Sequence, residues 1–64
     1  MKTSVYELVV SGKFKWRDNE FELLKSPDKL GMAIVKDLQT GLTKSFNAYA
    51  PGAPVRRLKQ VEKI

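Results

Sequence analysis

Neither cysteine nor histidine occurs in this chain of 64 residues. Without cysteine no disulfide can brace the fold and no thiolate can hold a metal. Without histidine the commonest catalytic base and the commonest metal ligand are also missing. No run of about 18 apolar residues is present, so no helical membrane span is expected. Near the start, Glu7 interrupts the apolar residues before they could form the core of a secretory leader, and a cytoplasmic address is expected. Acids are few: Glu7, Asp18, Glu20, Glu22, Asp28, Asp37 and Glu62 stand against 12 Lys and Arg, for a formal charge of +5.

These absences leave apolar side chains to supply the stability. A chain this short forms one domain, residues 1–64, and buries only about 60% of the surface its unfolded form exposes. The hydrophobic fraction of 42% is ample for a packed core and argues against disorder. The positive charge favours polyanionic partners, although net charges of about 2–8 also serve only to keep small domains soluble.

Lys13-Phe14-Lys15-Trp16-Arg17 alternates strictly between cations and aromatics. A strand sends successive side chains to opposite faces. This segment therefore predicts Phe14 and Trp16 in a core and Lys13, Lys15 and Arg17 in a positive row outside. Asp18-Asn19 suits a tight hairpin, after which Phe21 and Leu23 point inward and Glu20 and Glu22 outward. Facing the basic row across the hairpin, these two glutamates neutralise part of it, at roughly 0.2–1 kcal/mol per pair.

The remaining segments read as follows. Thr3 to Val10 is a first strand, closed by Ser11-Gly12. Ser26 to Gly31 is a loop, Met32 to Leu38 a strand, Gln39-Thr40-Gly41 a turn, and Leu42 to Ala48 a returning strand carrying Phe46. A proline-punctuated link follows. Val55, Leu58, Val61 and Ile64 then recur every three residues, which predicts a helical turn or short helix; a helical turn leading into a short closing strand fits equally well. About five short strands with turn signals roughly every 8–12 residues predict an all-β protein, a small closed or nearly closed barrel. An OB-like barrel normally needs more residues, which leaves the SH3-like form.

The order of these signals resembles the SH3-like small β-barrels, particularly the very short ones common in bacteriophage genomes. Leu8 leading into Phe14, the Phe14/Trp16 strand, the hairpin to Phe21, the Thr40-Gly41 turn before Phe46 and a closing Val55/Leu58 carry the likeness. In such chains a glycine usually sits three residues before the first aromatic; here Ser11 takes that place and Gly12 follows. The resemblance implies a binding or regulatory module without catalytic residues.

Chemistry finds little support in the residues themselves. A serine or threonine nucleophile needs a base, and only lysine or a carboxylate remains. Glu20 and Glu22 sit about 7 Å apart on strand geometry, but opposite a basic strand they read as surface ion-pair partners. No loop offers the oxygen series that a hard cation requires, and Gly31 and Gly41 stand alone. No enzyme, cofactor or metal is expected.

Binding is the stronger expectation. Lys13, Lys15, Arg17, Arg56, Arg57 and Lys59 are the candidate nucleic-acid-binding residues, because arginine forks suit phosphate oxygens. Phe14, Trp16, Phe21 and Phe46 are needed inside, which leaves Tyr6 and Tyr49 as outer stacking platforms for unpaired bases. The alternative partner is a host or self protein, held through a barrel edge or a patch of Leu24, Leu30 and Leu42 near the loops.

Overall fold

A computed structural model describes residues 2–50 and 57–64. It is all-β apart from one 3-10 turn. Six short strands, β1 (Lys2–Thr3), β2 (Lys13–Trp16), β3 (Asn19–Lys25), β4 (Met32–Asp37), β5 (Thr43–Asn47) and β6 (Val61–Lys63), form one antiparallel sheet in the order β1-β6-β2-β3-β4-β5. Phe14, Phe21, Leu23, Ala33, Val35, Phe46 and Val61 line its inner face, and Val5, Leu8 and Ala48 complete the buried core.

The β2–β3 hairpin shows how packing sets register. Phe14 stands directly opposite Phe21, with ring centroids 5.5 Å apart. Both rings then meet Phe46 of β5, at 5.4 and 5.7 Å. Offset and edge-on contacts of this kind add about 0.5–1.5 kcal/mol each beyond area burial. Opposing Phe14 with Phe21 leaves Arg17 and Asp18 as the turn, both left-handed at φ 50° and 66°. The turn is thus one residue earlier than Asp18-Asn19, and Arg17 leaves the strand that sequence alternation assigned to it. Positive φ at both central residues is the geometry that matches strand twist in a two-residue hairpin.

The expected first strand over Thr3 to Val10 is replaced by β1 and a 3-10 turn over Val5–Glu7. Val5 and Leu8 are buried while Tyr6, Val9 and Val10 are exposed, a spacing of three that suits a helical turn and not a strand. Glu7 closes the turn locally. Its carboxylate accepts from the Thr3 hydroxyl at 2.7 Å and from the Ser4 N–H at 3.4 Å. The Thr3 bond, then the Ser4 backbone bond, hold the Glu7 carboxyl below its ordinary range.

The sheet does not close into a barrel. With the first strand cut to two residues, no long strand is left to zip against β5. Among the described residues an isolated bridge, Tyr49 to Leu58, joins the segment after β5 to the segment before β6, and there Lys59 N–H donates to Ala48 C=O at 2.8 Å and Ala50 N–H to Arg57 C=O at 2.7 Å. The helical turn expected near the C-terminus is absent from the described part, residues 57–64, where the chain is extended into β6. Backbone pairing with Ala48 and Ala50, together with burial of Val61, outweighs the three-residue spacing. Val55 lies outside the described residues.

Candidate nucleic-acid interface

The outer face carries the cations, but interleaved with acids. Lys15 of β2 stands opposite Glu20 of β3 on one side and Glu62 of β6 on the other, and Glu62 also faces Lys2 of β1. One row across the sheet therefore reads Lys2, Glu62, Lys15, Glu20. A second row sets Glu22 between Lys13 and Lys36. At the far edge Lys44 pairs with Asp37 at 3.6 Å. Glu20 and Glu22 take the positions that alternation assigned to them. The part played by Glu62 follows from insertion of β6 between β1 and β2, which no sequence signal announces.

The cations gather instead around Trp16. This ring shares the inward parity of Phe14 but lies at the end of β2, only partly buried and packed against the core. Phe46 meets it edge-on, at 5.3 Å and 88°. Arg17, turned back by its left-handed backbone, sets its guanidinium carbon 4.6 Å from the indole centroid. Lys59 brings its Nζ to 4.4 Å from the same centroid and 4.6 Å from that of Phe46, in the corner the two rings make. Cations over aromatic faces contribute about 0.5–1 kcal/mol at exposed sites and more where desolvated. Partial burial, with a smaller contribution from nearby Arg17, pushes the Lys59 ammonium below the ordinary lysine range.

Beside Trp16 and Arg17 opens a groove of about 400 Å³, walled further by Lys2, Lys15 and Glu62 and completed by Asp18 and Gln60. Of the six cations that the sequence singles out, Lys15 and Arg17 line this groove and Lys59 holds the same indole. Lys13 is exposed on the outer face, opposite Glu22. Arg57 is exposed two residues before Lys59, and Arg56 lies outside the described residues. Lys2 and Gln60 were not legible as site residues, since β1 and β6 bring them in from the two ends of the chain. Trp16, assigned to the core, serves both core and groove.

Other expected features have a plainer setting. Tyr6 and Tyr49 stack edge-on with each other at 6.1 Å, their hydroxyls 3.5 Å apart. Leu24, Leu30 and Leu42 are all exposed. Among the described residues no group of three or more acids is placed to hold a metal ion, and no helix is long and apolar enough to cross a membrane. No protein-family profile, curated protein or solved structure matches this chain.

Proposed function

We propose that this protein is a small, basic, non-catalytic binding module that contacts the phosphates of nucleic acid, as an accessory or regulatory protein of the kind bacteriophages encode. The observation that carries the reading is the convergence of Arg17 and Lys59 on the Trp16 ring, beside an open groove that Lys2 and Lys15 also line. Arg57 extends the positive surface along the same segment as Lys59. A domain without histidine or cysteine supports binding over chemistry. Four or five phosphate contacts give a slope of log K against log salt of about −4. Titration of labelled oligonucleotides at about 50 and 200 mM salt reads that slope, and no binding at the lower salt would end the proposal. Arg57→Glu, at an exposed side chain, weakens binding several-fold and leaves the thermal transition in place.

A second reading is favoured by β5, which ends the sheet order and has one strand partner among the described residues. A host or self protein that added a strand there would be held by main-chain hydrogen bonds. Its binding would be insensitive both to salt and to Arg57→Glu.

A further inference from the structure

Resting on the phosphate-contact reading, we infer that the groove beside Trp16 takes an unpaired base, which makes single-stranded nucleic acid the preferred ligand over duplex. The first ground is the lining. Three cations, Lys2, Lys15 and Arg17, share the groove with two carboxylates, Asp18 and Glu62, and with the Gln60 amide. Glu62 is already set between Lys2 and Lys15 by strand pairing, whereas Asp18 and the Gln60 amide are lining groups that phosphate contact alone does not call for. A base edge presents N–H donors, which carboxylate and amide oxygens accept, while phosphates on either side meet the cations.

The second ground is the aromatic wall. Single strands are held where bases stack on exposed rings and on guanidinium planes. The Trp16 ring is fixed from below by Phe46, edge-on at 5.3 Å, and Lys59 occupies the corner those two rings form. Lys59 is absent from the groove lining, whereas Arg17 belongs to it. The guanidinium, already at 4.6 Å from the indole centroid, lies on the side open to a ligand. A base entering there stacks on the guanidinium plane or displaces it and stacks on the indole. Either way it comes to rest on Trp16 or on the guanidinium that covers it, beside the only tryptophan in the chain.

That uniqueness supplies the readout. The full chain is titrated at about 50 mM salt with three probes: a single-stranded 12-mer, the same sequence as duplex, and heparin as a polyanion without bases. The inference expects quenching of the tryptophan emission by the single strand and at least about tenfold tighter binding of it than of duplex. Arg17→Lys keeps the charge and removes the plane, so it costs single-strand affinity about fivefold or more and heparin affinity about twofold at most. It lies in an exposed turn, and lysine keeps a cation beside the indole; a preserved circular dichroism spectrum verifies the fold. Trp16→Phe, a smaller ring in the same place, provides a second variant and weakens single-strand binding more than heparin binding. Equal or tighter binding of duplex, or single-strand binding that neither quenches Trp16 nor responds to Arg17→Lys, overturns the inference and leaves the phosphate-contact reading standing. No binding of any of the three probes overturns both.

Discussion

Single residues carry the local conformation that the strands depend on. Ser11 sits at φ 77°, in the place where the SH3-like pattern has glycine, and its N–H donates to Leu23 C=O at 2.7 Å. A left-handed backbone costs an ordinary residue roughly 1–2 kcal/mol, offset in part by the greater unfolded-state freedom of glycine. Ser11→Gly therefore stabilises the protein by about 0.5–1 kcal/mol, measured as a higher urea midpoint with unchanged slope. Gly31 presents the opposite case. At φ 87° a Cβ there would lie 2.6 Å from the Tyr49 ring, so strain and a clash combine. Gly31→Ala costs about 2 kcal/mol or more, and an unchanged midpoint would mean that neither the left-handed backbone nor the Tyr49 contact constrains this position.

Among the elements, loops are secured by their own side chains and strands by facing rings. In the loop before β4, the Asp28 carboxylate accepts from Leu30 N–H at 2.9 Å and Met32 N–H at 3.0 Å. The Met32 bond most, with Leu30, Gly31 and the Lys25 charge adding to it against the opposing desolvation, holds this carboxyl below its ordinary value of 3.8. A carboxyl that is more acidic in the folded state stabilises above its unfolded pKa and loses that contribution as pH falls through the folded one. Stability thus declines below about pH 4, and Asp28→Asn flattens that limb in urea titrations at stepped pH. An identical acid limb in the variant would assign it to other carboxylates. The β2–β3 hairpin is a different kind of element: its turn residues, Arg and Asp, have no special preference for left-handed backbone comparable to Asn-Gly. Its register comes from Phe14 facing Phe21.

At the scale of the whole molecule, stability is concentrated in one aromatic cluster. Below about 70–80 residues a single core seldom contributes more than about 3–5 kcal/mol, and Phe→Ala in a core costs about 3–5 kcal/mol. Phe14 is fully buried and touches Phe21 and Phe46. Phe14→Ala accordingly leaves the chain largely unfolded at 25 °C, visible as collapsed amide dispersion in NMR; a cooperative thermal transition above 40 °C would show that stability resides elsewhere. The charge is distributed by a different logic. Rows of alternating sign cross the outer face, and the cations around Trp16 mark the end of the sheet where the groove opens. Function, in the proposed reading, sits at that end, and the steep salt slope is its signature.

Composition and alternation by themselves determined that the chain is all-β, that Phe14, Phe21 and Phe46 enter the core, that Glu20 and Glu22 share the outer face with Lys13 and Lys15, and where the Ser26–Gly31 loop and the Gly41 turn fall. These are local properties: a period of two, a pair of facing parities and a few turn residues suffice to fix them. Only the tertiary structure decided that the sheet stays open, that β6 inserts Glu62 between Lys2 and Lys15, and that Lys59 crosses to the Trp16 ring. The last two join segments more than 40 residues apart in the chain, and such pairings are selected by the summed burial and hydrogen bonding of the assembled sheet, for which no short stretch of sequence carries a mark.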